Sequence, residues 1–131
     1  MFGRTRKDKA RTLIASICNG SQAKALELLT DDFEFVDSMG VRCEGKDAFA
    51  LLLERFNQLK LGFEIEFDGL GVDGDDLLMT GTQTSSDPRF DAKVQWKITF
   101  RGSKISRLRT YRNSEPPSIV RMLRNDITDF P

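Results

Sequence analysis

The sequence predicts an α+β fold in which three N-terminal helices precede an antiparallel sheet, and three observations carry that prediction. Apolar residues recur at helical spacing at Ala10, Leu13, Ile14 and Ile17, and again at Ala48, Phe49, Leu52, Leu53 and Phe56. From Phe63 onward the period falls to two. Phe63, Ile65 and Phe67 alternate with Glu64, Glu66 and Asp68, and Ala92, Val94, Trp96, Ile98 and Phe100 alternate with Lys93, Gln95, Lys97 and Thr99. The connections Asp73-Gly74-Asp75 and Gly102-Ser103 are tight turns, which join antiparallel neighbours.

Each element follows in order. Residues 1–8 form a basic N-terminal arm, and the first amphipathic helix runs from Lys9 to the stop signal Asn19-Gly20. Ser21 caps a second, shorter helix with the apolar face Ala25, Leu26, Leu28 and Leu29. A short strand comes next, with Phe33, Phe35 and Asp37 on one face and Glu34, Val36 and Ser38 on the other. A loop from Gly40 to Gly45 leads into the third helix, and four strands follow: Phe63 to Asp68, "DLLMTGTQTS", Ala92 to Phe100 and "KISRLRTYR". "DPRFD" is a wider loop between the second and third of these. Pro116-Pro117 ends the sheet, leaving residues 116–131 as a C-terminal tail with a short helix capped by Ser118. A chain of 131 residues, 39% hydrophobic, supports one core and one domain.

Composition narrows the function. The formal net charge is zero, which argues against a dedicated nucleic-acid or membrane-surface binder. The longest apolar runs, such as Leu51-Leu52-Leu53, fall far short of the roughly 18 residues of a membrane span. The start MFGRTRKDKA lacks the apolar stretch of a signal peptide, so a cytoplasmic location is expected. Cys18 and Cys43 lack CxxC spacing and are expected as reduced thiols. The chain contains no histidine, which excludes Ser-His and Cys-His nucleophile systems and the common zinc hydrolase sites. No metal or cofactor is expected.

Three motifs need weighing. Gly40-Val-Arg-Cys-Glu-Gly45-Lys46 approaches a phosphate-binding loop, but Asp47 stands where the magnesium-binding hydroxyl belongs, and the downstream strands, joined by tight turns, are expected to be antiparallel and to offer no doubly wound sheet. Gly45 there permits a turn and Asp47 suits the positive end of a helix. Asp73-Gly74-Asp75-Asp76 lacks the closing Glu of a calcium loop, Thr84 taking that place. Asp37 is the strongest candidate for chemistry. Sharing a face with Phe33 and Phe35, it stands at the end of an apolar surface, where a partly desolvated carboxylate can serve as a general base. Equally, it can close the following turn with a hydrogen bond or pair with an arginine.

The order helix, "NGSQAKALELLTDDFEFVDSMGVRCEGKDAFALLLERF", then a meander ending "GSKISRLRTYR", resembles the nuclear transport factor 2-like superfamily, and most of all its SnoaL-like and ketosteroid isomerase-like branch. The likeness extends from about Lys9 to Arg112. It implies a cone-shaped, curved antiparallel sheet wrapped around the three helices with a pocket between them, and often a homodimer. It also implies a proton-moving Asp at the position of Asp37. The oxyanion donors of ketosteroid isomerases, a Tyr and a protonated Asp, fall on Leu13 and Trp96. Since such donors are worth roughly 3 kcal/mol each, steroid isomerase activity is not implied. Dehydratases of the fold use a histidine absent here, and the strand positions of its epoxide hydrolases hold Thr82, Thr84 and Thr110, with Arg89 and Asp91 in a loop.

The resulting expectation is a SnoaL-like protein that binds a small apolar or polycyclic molecule, either as a cofactor-independent isomerase or cyclase or as a non-catalytic binding or association domain. Its expected lining is Leu13, Ile17, Phe33, Phe35, Leu52, Phe56, Trp96 and Leu108. In the last strand, Arg112 shares a face with Ser106, Leu108 and Thr110 and is expected within salt-bridge reach of Asp37. A second copy is expected on the outer sheet face at Lys93, Gln95, Lys97 and Thr99.

Overall fold

In the computed structural model of the protein, residues 5–112 are described. The terminal helix expected from Ser118 lies outside them. Helix α1 spans Arg6–Asn19, starting earlier than the expected arm allows. The reason is a cap that the basic run conceals: the Thr5 hydroxyl accepts the Asp8 N–H at 3.1 Å, and Asp8 places its charge in the positive first turn. Gly20, in the left-handed region at φ 81°, ends the helix as expected. Helix α2 is Gln22–Glu27, followed by strands β1 (Leu29–Val36) and β2 (Arg42–Glu44) and helix α3 (Lys46–Leu59). The meander is β3 (Glu64–Asp73), β4 (Asp76–Thr84), β5 (Ala92–Arg101) and β6 (Lys104–Arg112), with a 3-10 turn at Pro88–Phe90 before β5. Leu29, expected on the second helix, instead begins β1 and pairs with Ile105.

The six strands form one curved, open sheet in the order β2-β1-β6-β5-β4-β3. All pairings are antiparallel except β1 with β6, which run parallel. Tight turns dictate antiparallel pairing only between neighbours in sequence, and β1 reaches β6 across the whole of α3 and the meander. The inner face of β5 and β6, Val94, Trp96, Ile98 and Leu108, packs with Leu13, Leu52, Leu53 and Phe56 of the helices into one core. Lys93, Gln95, Lys97 and Thr99 alternate with those residues and lie on the other face, where Lys97 bridges Asp73 at 3.2 Å and Asp76 at 3.7 Å. The acidic turn therefore answers to a lysine.

Curvature is built where β3 crosses β4. The register slips between Phe67 and Gly69, and Asp68 there accepts the Thr80 hydroxyl at 2.6 Å. A Cβ on Gly81 would stand 2.6 Å from the Glu66 carbonyl oxygen, so only glycine lets the two backbones approach this closely. Among the described residues no helix is long and apolar enough to cross a membrane.

Candidate functional site

The connection from β1 to β2 carries Asp37. The Asp37 N–H donates to the Val41 carbonyl at 3.0 Å and its carbonyl accepts the Gly40 N–H at 2.9 Å. Its Oδ1 accepts the N–H groups of Met39 and Val41, both at 3.0 Å. The side chain is only 2% exposed. Asp37 thus closes the turn after its strand, as one of the sequence alternatives had it, and each such bond to a charged acceptor is worth about 1.5–3 kcal/mol. Gly40 sits at φ 81° in that turn, and Gly45, at φ 97°, donates its N–H to the Phe33 carbonyl at 2.7 Å. The supposed phosphate loop is therefore half consumed by a short antiparallel strand, and Gly45 opens α3.

Beside Asp37 lies a cavity of about 90 Å³ between the helices and the inner sheet face. Ile17, Phe35, Leu52, Phe56, Trp96 and Leu108 line it, and Asp37 and Arg112 both border it. Leu13 and Phe33, expected in the same lining, do not reach it. Leu13 is fully buried within the core, and the Phe33 ring is covered by Phe49 at a centroid distance of 4.9 Å. On β6, Leu108, Thr110 and Arg112 line the cavity, whereas Ser106, expected on the same face, does not and donates its hydroxyl to the Thr99 carbonyl at 3.3 Å. Continuing the parallel register Val36 to Arg109 sets Asp37 alongside Thr110.

Residues 10–108 match the family model described as the SnoaL-like domain. The chain belongs to that family. No curated protein matches it. Among solved structures, a nuclear transport factor 2-like protein of unknown function from Cytophaga hutchinsonii is 17% identical, with a TM-score of 0.68 over 86% of this chain and 93% of that one. A protein from Sinorhizobium meliloti, named as a candidate polyketide cyclase, is 18% identical, with a TM-score of 0.69 over 79% and 93%. A hypothetical protein with a ketosteroid isomerase-like fold from Catenulispora acidiphila, solved in complex with trimethylamine, is 15% identical, with a TM-score of 0.69 over 82% and 86%. At these identities the likeness establishes the fold alone.

This SnoaL-like domain brings further groups to its cavity: Cys18, Phe49, Phe63, Gln83, Phe90 and Thr110. Phe63 and Gln83 were legible as candidates, since each falls on the inward side of its strand alternation, with Gln83 opposite Ile65. Phe90 had no periodic signal, being carried by the 3-10 turn. Burial pushes the Cys18 thiol from its ordinary 9.0 up to about 12, so the cavity wall holds it protonated. Arg112 donates from Nη2 to the Arg89 carbonyl at 3.0 Å, and burial lowers its pKa while Asp91 opposes that shift. Arg89 and Asp91 form no catalytic set with each other. Arg89 chelates Asp87, with Nη2 2.6 Å from Oδ2, and Asp91 accepts the Ser85 N–H at 2.8 Å.

Proposed function

We propose that this SnoaL-like domain binds one small apolar molecule in the cavity beside Asp37 and, without a cofactor, offers that carboxylate as a general base for isomerase- or cyclase-type proton transfer. The observation that carries the proposal is that, among the described residues, one carboxylate is set in the wall of an otherwise mainly apolar cavity. Its size refines the ligand. At about 90 Å³ it is smaller than the ~300–1,000 Å³ pockets of drug-sized ligands. It is closer to apolar cavities of ~150 Å³ that hold benzene. A single ring is the scale that suits it, rather than a polycycle. The candidate polyketide cyclase and the ketosteroid isomerase-like protein among its structural neighbours are consistent with the reaction class.

A second reading, a binding or association domain without catalysis, has its own support. Asp37 Oδ1 is engaged by two backbone N–H groups, and the places of the ketosteroid isomerase oxyanion donors hold Leu13 and Trp96. One experiment separates the two. Toluene should raise the thermal unfolding midpoint through mass action; no rise at saturating toluene would sink ligand binding. Cyclohex-3-enone is then supplied as substrate: a base removes a C2 proton, a proton returns at C4, and the conjugated isomer appears in ultraviolet absorbance. Catalysis predicts a rate that Asp37→Asn abolishes; equal turnover in both proteins would remove Asp37 as the base, and turnover absent from both leaves the binding domain.

A further inference from the structure

We propose that the Pro88–Phe90 turn sets which ligands the cavity admits, and that Gln83 and Arg112 fix its position by holding its carbonyls. This rests on the reading of the cavity as a ligand site.

Residues 85–91 link β4 to β5 and bring Phe90 to the cavity, and the turn within them is a self-contained unit. The Asp87 side chain accepts the Arg89 N–H at 3.0 Å, the Asp87 carbonyl accepts the Phe90 N–H at 3.0 Å, and the Pro88 carbonyl accepts the Asp91 N–H at 3.1 Å. Its attachments to the rest of the molecule are of another kind. The Gln83 amide donates to the Phe90 carbonyl at 2.8 Å, and Arg112 donates to the Arg89 carbonyl at 3.0 Å. On the far side, the Ser85 hydroxyl and the Ser86 N–H and hydroxyl all converge on the Leu61 carbonyl, at 2.6, 2.8 and 2.9 Å.

Phe90 is the part of this turn that enters the cavity. It is 3% exposed, and its ring lies 5.4 Å from that of Phe63, which in turn lies 5.1 Å from Phe56. Leu52, Phe56, Trp96 and Leu108 are lining residues set on helices and strands, whereas Phe90 rides on a short turn. Both donors that hold the turn, Gln83 and Arg112, are themselves cavity-lining side chains. A ligand that fills the cavity therefore touches the groups that keep Phe90 in place. Apolar bodies of one ring fit with Phe90 where it stands; a two-ring body needs it displaced, which costs the two side-chain bonds to the turn.

The chain's single tryptophan, Trp96, lines this cavity and is 4% exposed, which makes it an internal reporter. Without any ligand, Gln83→Met, which keeps the side-chain length and removes the donor, should raise acrylamide quenching of Trp96 about twofold. Gln58→Met, the same change at an exposed α3 position outside the cavity, should leave it unchanged. Equal quenching in the wild type and Gln83→Met, or an equal rise in Gln58→Met, would overturn the latch. In the second arm, wild type should bind toluene and reject naphthalene, and Phe90→Ala should bind naphthalene at least tenfold more tightly than wild type. Phe90→Leu serves in its place if the alanine variant does not unfold cooperatively. Toluene binding with an unchanged preference between the two ligands in the Phe90 variant would overturn the size limit. Loss of toluene binding throughout would refute the ligand reading alone, since the quenching arm needs no ligand and still decides the latch.

Discussion

Two stretches of the cavity wall are held by opposite arrangements. At Asp37 a side chain is fixed by backbone, its Oδ1 accepting N–H groups two and four residues further along the chain. At Phe90 backbone is fixed by side chains, the donors Gln83 and Arg112 standing seven and 23 residues away in sequence. Closing a loop of four residues costs little chain entropy, so the Asp37 turn is set as soon as β1 and β2 meet. The Phe90 turn takes its place only when β4 and β6 already lie in the sheet. One stretch of the wall is thus held by local backbone bonds and the other by bonds from distant strands.

Substitutions at the two sites should differ accordingly. Asp37→Ala removes both bonds to Met39 and Val41 and should cost about 3 kcal/mol in urea unfolding, whereas Asp37→Asn keeps an acceptor oxygen and should cost about 1 kcal/mol. Gln83→Met should cost about 1 kcal/mol, in line with one neutral hydrogen bond. Equal losses for Asp37→Ala and Gln83→Met would erase the contrast.

A pH-dependent effect should come from Cys18. Its pKa in the fold, about 12, exceeds the ordinary 9.0, so the unfolded chain loses the thiol proton first. The resulting stability is complete below pH 9 and is lost as pH rises toward 12, with a slope of at most about 1.4 kcal/mol per pH unit. Cys18→Ala should flatten that alkaline limb; an unchanged slope would mean that water reaches the thiol from the cavity.

Much of the fold was legible because periodicity reports which face of an element turns inward. The helices, the meander and the inward set Val94, Trp96 and Leu108 all follow from it. Depth is not periodic. Leu13 and Phe33 face inward as surely as Phe35 does, yet Phe49 fills the space in front of Phe33 while Phe35 reaches the cavity. The parallel pairing of β1 with β6 was hidden for a related reason: no turn records a contact between strands so far apart in sequence. β2, three residues inside a glycine-flanked loop, is too short to show alternation. Gln83 did leave a trace, as an amide among Leu77, Met79 and Gly81 on the inward positions of β4, and a polar group on an apolar face needs a partner. That partner, the Phe90 carbonyl, belongs to a turn whose sequence announces only that the chain bends.

The central claim, a ligand-sized apolar space beside Asp37, is tested most directly by a crystal of the protein pressurised with xenon, which enters apolar cavities. The account predicts a xenon peak among Phe35, Leu52, Phe56 and Trp96, within reach of the Asp37 side chain. Well-packed side-chain density across that space, with no xenon bound, would contradict it.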